Sequence, residues 1–361
     1  MSQKIVHEDI ATIAKNLGED ALKFEGKTIL MSGGGGFLGK YIVGVLCHLN
    51  DTLFSNPCRI ISVDNYITGQ KHPHFDYHNR KEVLDVWADV THPLPVREDL
   101  HFIIHGAGLA SPVYYKKYPL ETIESAVSGI KNLLELARKN QNLDGFLFFS
   151  SSEIYGDPDS SAVPTPETYH GYVSSVGPRA CYDESKRLGE TIATIYHEQF
   201  GIPATIVRPF NVFGPGMSHN DRRVLPMFAY KILNNEPVPV HGDGSQTRTF
   251  CYITDAIAGF LKVLLKGKRG HAYNIGNDDT EISMKDLAAL FTSLESKSAG
   301  YELIPYPGNY PAGEPQRRCP DISKAKTDLG FAPQVSLEDG LERFLEWCKS
   351  DSEYTSGKLS A

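Results

Sequence analysis

The sequence predicts a doubly wound α/β fold: a parallel sheet covered by helices on both faces, with a smaller C-terminal lobe over a ligand cleft. Three observations predict it. Apolar runs of strand length alternate with longer helical stretches from Lys27 to about residue 210, and the first run passes through spaced glycines straight into a helix. Beyond residue 210 the alternation lapses while Pro and Gly rise, in FGPGM, EPVPVHGDG and PYPGNYPAGEP.

The expected strands are TILMS (28–32), RIISV (59–63), FIIH (102–105), GFLFFSS (145–151) and PATIVRP (203–209). Several are apolar almost throughout, as strands buried on both faces of a parallel sheet must be. Helices are expected over 117–140 and 183–200, and shorter ones near 224–234 and 284–296. Ahead of the first strand, Ile10, Ile13, Ala14, Leu17, Ala21 and Leu22 fall at helical spacing, so residues 1–25 are expected to form an amphipathic helical extension packed on the body or on a partner. Residues 26–210 mainly build the sheet domain and 211–350 mainly the lobe, with some chain returning to the sheet; the polar tail 351–361 is expected to fray.

A length of 361 residues accommodates one large core with an attached lobe. Hydrophobic residues at 41% and charged residues at 22% exclude wholesale disorder, and no run of about 18 apolar residues offers a membrane span. The start MSQKIVHEDI has no basic stretch followed by an apolar one, so a cytoplasmic, unexported protein is expected. A net charge of −8 without a basic stripe argues against nucleic acid as a partner. The six cysteines are scattered without a CxxC pair, which fits free thiols in a reducing compartment.

The segment TILMSGGGGFLGKY places glycines at 33, 36 and 39 between a strand and a helix. The chain must turn sharply there, let a pyrophosphate approach the backbone and pack the helix closely, and glycine permits all three. The helix opening at Phe37 and Leu38 then presents unpaired N–H groups to phosphate. The second strand ends in Val63-Asp64, where an acid accepts hydrogen bonds from ribose hydroxyls and repels a 2′-phosphate, favouring NAD over NADP. Asn65 adjoins it, and Asp89 and Val90 follow the next strand at the adenine edge. His72, His74 and His78 with Asp76 are residue types that bind zinc, but a loop beside the adenosine pocket accounts for them and no metal is expected.

Tyr182 and Lys186 lie one turn apart on one face of a helix in CYDESKRLGE. Free tyrosine ionises near pH 10, and a neighbouring ammonium together with a nicotinium charge would stabilise the phenolate as a proton acceptor. Ser150-Ser151-Ser152-Glu153 stand at the C-terminal end of the fourth expected strand, where doubly wound proteins bind ligands. Cys181 adjoins the tyrosine with no evident nucleophilic role and is expected to pack.

With these residues in place, the chain resembles the extended short-chain dehydrogenase/reductase family, in its nucleotide-sugar branch, over roughly residues 26–348. SGGGGFLG, VDNY, SSSEIYG, GPRACYDESKR, RPFNVFGPG, GDGSQTRTFCYITD, YNIGN and PQRRCPDISKAK carry the resemblance, and EIYGDP, GPRACYDE and the QRRxPDI pattern are most similar to UDP-glucuronate decarboxylases.

The resemblance implies a Rossmann domain with tightly bound NAD recycled in each turnover, a UDP-linked sugar substrate and a homodimer built on the helices over 117–140 and 183–200, whose apolar positions fit burial within a monomer equally well. It implies that Tyr182 removes the sugar O4 proton while C4 gives up hydride, that Lys186 lowers the tyrosine pKa and holds the nicotinamide ribose, and that Ser151 bonds O4. Ser152-Glu153 replaces the Asp-Glu pair typical of 4,6-dehydratases and would assist decarboxylation or proton delivery, with Arg318 as a functional arginine. Ser111 in LASP, Asn211 and Arg248 would hold the substrate and its phosphates, with Arg317 beside them, although each arginine also fits a structural ion pair.

Two stretches depart from the decarboxylase pattern, HGAGLASP at 105–112 and residues 159–176. Both bear on the sugar's C5 and C6 groups. A nucleotide-sugar 4-epimerase or 4,6-dehydratase shares the first step and stays open, as does a catalytically silent NAD-binding regulator.

Overall fold

A computed structural model describes residues 2–69, 75, 77, 79–306 and 315–355. In chain order the strands are β1 (Thr28–Ser32), β2 (Arg59–Asp64), β3 (Val83–Trp87), β4 (Phe102–His105), β5 (Gly145–Phe149), β6 (Ala204–Pro209), β7 (Val212–Phe213), β8 (Val238–His241), β9 (Thr247–Arg248), β10 (Cys251–Tyr252), β11 (Ala272–Ile275), β12 (Ile282–Ser283), β13 (Tyr301–Ile304) and β14 (Arg317–Arg318). The helices are α1 (Ser2–Leu17), α2 (Phe37–Thr52), α3 (Pro112–Lys117), α4 (Pro119–Arg138), α5 (Ala180–Phe200), α6 (Val224–Leu233), α7 (Ile253–Lys266), α8 (Met284–Ser293), α9 (Ser323–Leu329), α10 (Leu337–Lys349) and α11 (Ser352–Thr355).

Seven strands form one parallel sheet in the order β11-β6-β5-β4-β1-β2-β3. Alternate side chains of each strand feed opposite layers. Ile29, Met31, Ile104, Leu147 and Phe149 join α1, α2 and α7 in one core; Leu30, Ile103, Phe146 and Phe148 join Ile130, Leu133, Leu134 and Ile192 of α4 and α5 in the other. The order reverses between β1 and β4, and a doubly wound sheet opens its ligand crevice at that point.

Three details differ from the expected elements, and a fourth gives the expected return of the chain its form. The helix expected over 117–140 is α4, and a separate short helix, α3, precedes it, because Pro119 starts α4 and cannot continue the turn of α3. The extension is helical only to Leu17: Gly18, at φ +55°, breaks the 3.6-residue period and begins a 3-10 turn, so Leu22 is exposed and Phe24 is buried in its place. β3 has the mixed burial of an edge strand. After the lobe has begun, the chain comes back to the sheet, laying α7 on one face and adding β11 to the edge. The lobe itself holds three small sheets, β10-β7, β12-β9-β14 and β13-β8.

No helix among the described residues is long and apolar enough to cross a membrane. Nor do three or more potential metal ligands gather among the described residues; His72, His74, Asp76 and His78 lie outside them.

Candidate active site

The turn from β1 into α2 is shaped by close approach. Gly33 has φ +80°, and a Cβ there would lie 2.8 Å from the Ala107 amide nitrogen, on the chain leaving β4. A methyl on Gly39 would collide with the Gly33 carbonyl oxygen, so α2 seats directly on the turn. Among the described residues the backbone amides of Phe37, Leu38 and Gly39 donate no hydrogen bond, leaving the start of α2 open to an anion.

At the ends of β2 and β3 the polar groups form a rim. Asp64 accepts from the Gly35 amide at 2.8 Å through one oxygen and from the Tyr66 amide at 2.7 Å through the other, and each oxygen keeps a lone pair for a further donor. Burial nevertheless holds its carboxyl above the usual range. Asn65 donates to Asp89 at 3.1 Å, the Thr91 amide fixes the other Asp89 oxygen at 2.9 Å, and Asn132 bonds the Val90 carbonyl at 2.9 Å. A backbone cradle that a Cβ would fill, unused helix amides and an acid with spare acceptor capacity together fit NAD. Lys40, which sequence reasoning passed over, is buried here, and burial lowers its ammonium to about 8 against the pull of Asp64 and Glu353.

The reaction centre lies where β5 meets α5. Tyr182 and Lys186 are buried in the first two turns of α5, and the Lys186 ammonium donates to the Phe149 carbonyl at 2.8 Å, 5.8 Å from the Tyr182 ring centre. Ser151 caps the 3-10 turn Ser152–Tyr155, its hydroxyl accepting from the Glu153 amide at 3.2 Å and acting to lower the pKa of the nearby Tyr182 phenol. Tyr115 stacks on Tyr182 at 5.5 Å.

Burial pushes the Tyr182 phenol up to about 12, outweighing Ser151 and Arg223, while Glu153 and Asp183 push the same way. The lowered value expected from the sequence is thus not a property of the protein alone: the Lys186 ammonium is turned to a carbonyl, and burial prevails. Lys186 is itself lowered by burial to about 8. His105, at the first departure from the decarboxylase pattern, sits behind this centre between the Ser32 hydroxyl at 2.9 Å and the Ser125 carbonyl at 3.1 Å; burial, with the Lys186 charge, drives its pKa to about 3.

Beside Tyr182, Glu153 is clamped. Arg318 forms a two-pronged pair with it at 2.5 and 2.7 Å, and Arg179 bonds the second oxygen as well. Burial pushes the Glu153 carboxyl up, but Arg318, then Arg179, overcome it and hold it below the usual glutamate range. Arg179 also reaches Asp183, the residue after Tyr182, at 3.5 Å. Arg179, Asp183 and Arg223 were not anticipated. Only their place near the YxxxK pair in the sequence could have signalled the first two.

The remaining expected residues divide. Ser111 caps α3 with its hydroxyl buried and without a partner among the described residues, as is the Ser150 hydroxyl, and such orphan groups suit a polar ligand. Ser152 is buried at the start of its turn. Asn211, at φ +41°, gives one amide hydrogen to the Thr249 carbonyl at 2.8 Å and keeps another. Arg248 is buried against the carbonyls of Thr247, Pro315 and Gln316 at 2.7–3.2 Å, which ties the lobe together beside Glu153. Arg317 is not brought to this site. Neighbours on a strand face opposite ways, so as Arg318 turns inward Arg317 pairs with Glu281 at 2.6 and 2.8 Å, partly exposed.

Comparison with known proteins agrees with this geometry. The model of the NAD dependent epimerase/dehydratase family matches residues 29–276. The chain is similar to UDP-glucuronic acid decarboxylase 3 of Arabidopsis thaliana, 39% identical over 322 residues that cover 87% of this chain and 86% of that one. Among solved structures it is similar to an epimerase from Methanothermobacter thermautotrophicus, with a TM-score of 0.82, 25% identity, and coverage of 94% and 97%. It is also similar to the Bordetella bronchiseptica enzyme WbmF in complex with NAD+ and UDP, with a TM-score of 0.73, 25% identity, and coverage of 91% and 94%. A family model spanning more than half of the chain, over the sheet order and glycine turn described, makes the chain a member of the NAD dependent epimerase/dehydratase family.

Proposed function

We propose that the chain is an NAD-dependent decarboxylase that converts UDP-glucuronate to UDP-xylose through a 4-keto sugar. The observation that carries the reading is Glu153 held between Arg318 and Arg179 close enough to Tyr182 to act on its phenol, in a chain 39% identical to a decarboxylase of that substrate. The cofactor supplies, when bound, a reversible acceptor for the hydrogen on the sugar's C4. Gly33, Gly36, Gly39, Phe37 and Leu38 hold its pyrophosphate, and Asp64, Asn65, Asp89 and Val90 its adenosine.

Tyr182 takes the O4 proton, Ser151 orients O4, and Lys186 keeps a positive charge behind the phenol. With a ketone at C4 the uronate is a β-keto acid, and its carboxylate leaves as carbon dioxide while the electron pair passes to the ketone oxygen. Tyr182 and Ser151 hydrogen-bond that oxygen as it becomes negative. Ser152 and the ionised Glu153 orient the donor that returns a proton to C5, and Arg318 receives the carboxylate end of the sugar. Ser111 and Asn211 face the sugar and diphosphate, and Arg248 holds the backbone of the lobe behind them. The assembly we propose is a cytoplasmic homodimer joined through α4 and α5, on which Leu120, Ile123, Leu188 and Ile195 are exposed.

Mass spectrometry of one incubation with UDP-glucuronate tests the reading. A product lighter by one carbon dioxide supports it, whereas unchanged mass with altered retention points to epimerisation. Recovery of unaltered substrate under NAD saturation overturns it.

A further inference from the structure

Asn274, in the YNIGN stretch, takes no part in the proposed chemistry, yet its side chain joins the two segments that carry Glu153 and Arg318. It lies on β11 and is fully buried. Its side-chain oxygen accepts from the Tyr155 hydroxyl at 2.7 Å, and its side-chain nitrogen donates to the Thr165 carbonyl at 2.9 Å and to the Asp321 carbonyl at 3.0 Å. The orientation is forced. Arg208 donates to the Tyr155 hydroxyl at 2.7 Å, so that hydroxyl gives its own hydrogen to Asn274, and the two N–H groups are left for the carbonyls. The Asn274 backbone amide adds a bond to the Glu167 carboxylate at 2.8 Å, while Arg208 also reaches the Glu167 carbonyl at 3.0 Å and Glu190 of α5 at 2.6 and 2.9 Å.

Tyr155 ends the 3-10 turn that holds Glu153, and Asp321 stands three residues beyond Arg318. The turn follows β5 of the large sheet, whereas β14 pairs with β9 in the lobe, so the Glu153–Arg318 pair spans two sheets. Thr165 bridges the gap, its amide donating to the Cys319 carbonyl at 2.8 Å and its carbonyl accepting from the Asp321 amide at 3.0 Å; Asn274 grips Thr165, Asp321 and the turn at once. Other ties on the turn lead elsewhere: Arg187 of α5 holds the Ile154 carbonyl at 3.0 Å, and the Tyr172 amide holds the Tyr155 carbonyl at 3.0 Å. The Gln316 amide meets Asp157 at 2.8 Å, but that contact is exposed and water competes for it.

We propose that Asn274 is a positioning residue that sets the span between Glu153 and Arg318, and through it the rate at which the 4-keto sugar loses carbon dioxide. The inference rests on the decarboxylase reading. A two-pronged pair tolerates little displacement, because two guanidinium nitrogens must meet two carboxylate oxygens together. Long charged side chains do not hold their own backbones at a fixed distance, whereas a buried carboxamide with both hydrogens and its oxygen engaged does. Tyr182 and Lys186 are placed by other means, since α5 carries both and Lys186 is fixed on the Phe149 carbonyl. Loosening Asn274 therefore misplaces the groups beside the sugar carboxylate and leaves those that serve hydride transfer in register.

The test separates the two steps in NAD-loaded enzyme under single turnover. Reduction of the nicotinamide is followed by its near-ultraviolet absorbance, and carbon dioxide release by UDP-glucuronate labelled in its carboxylate. Tyr155→Phe withdraws the turn from Asn274 while Arg208 keeps Glu190 and Glu167, and Asn274→Ser releases both segments. Carbon dioxide release per folded molecule is expected to fall about 100-fold in Asn274→Ser, the scale of a misplacement by about one ångström, and about tenfold in Tyr155→Phe, while nicotinamide reduction changes less than about threefold. Equal slowing of the two steps, or a lowered Tm with both rates of the folded fraction unchanged, overturns the inference; Tyr155→Phe applies the same criterion alone if Asn274→Ser does not fold. If the wild type releases no carbon dioxide, the decarboxylase reading itself has failed.

Discussion

Two carboxylates, one at the reaction centre and one on α1, are treated by their neighbours in opposite ways. Glu153, beside Tyr182, faces two guanidiniums, and these hold it ionised despite burial. Asp9, on α1, meets Arg343 of α10 at 2.7 Å, the Tyr252 hydroxyl at 2.9 Å and the Tyr41 hydroxyl at 3.4 Å; burial wins there and lifts its carboxyl to about 6. One cation and two phenols do not replace the water lost, whereas two forked cations more than do. The difference marks the roles. Asp9 pins α1 to α2, to α10 and to the end of β10, joining sheet domain and lobe; Glu153 keeps a charge ready beside Tyr182.

The largest expected effect comes from separating activity from stability across the two clusters. Arg318→Gln should lower kcat/KM by about 10³-fold, since it strips a cation from the site of charge development, and Arg179 should keep the protein folded. Steady-state assays and thermal unfolding of the same preparation check this, and a collapse of Tm with activity per folded molecule retained would invert the comparison. Arg343→Met should do the reverse, costing about 3 kcal/mol of stability because it abandons a buried acid, with kcat of the folded fraction nearly unchanged.

The next effect is a pH slope. A carboxyl raised in the folded state binds its proton more tightly there, so the stability Asp9 contributes is fully present below its unfolded value of 3.8 and is lost as pH rises through about 6. Denaturant unfolding from about pH 4 to about pH 6.5 should show a decline on the order of 2 kcal/mol that Asp9→Asn removes. The smallest effect orders the two phenols: Tyr252→Phe should cost about 1–2 kcal/mol and Tyr41→Phe under about 1, following their distances to Asp9. Equal losses would mean that packing, rather than the charge, decides this cluster.

How much of this was legible follows from the range of the interactions. β1 and β4 could be read to the residue because strands hidden on both faces carry continuous apolar runs, and the glycine turn because its steric demands are local. β3 was only implied, since an edge strand with Asp85 and an exposed Trp87 does not look buried. α7 was missed: its segment follows a polar turn in a region already read as loop-rich, and nothing local says that it folds back onto the sheet. In the site, Tyr182 and Lys186 announce themselves by spacing. That Arg318 rather than Arg317 reaches Glu153 depends on which face of a two-residue strand is inward, a fact of the fold. Arg343 meets Asp9 across 334 positions, and no periodicity encodes such a pair.

The central claim is that the Tyr182 phenol and the C4 carbon of a uronate work together while carbon dioxide departs. UDP-glucuronate carrying deuterium at C4 puts this to the most direct test. The account expects a decarboxylated pentose that keeps its deuterium at C4, formed by the wild type and slowed by about 10³-fold or more in Tyr182→Phe. Solvent hydrogen at C4 of the product, or decarboxylation by Tyr182→Phe at the wild-type rate, would contradict it.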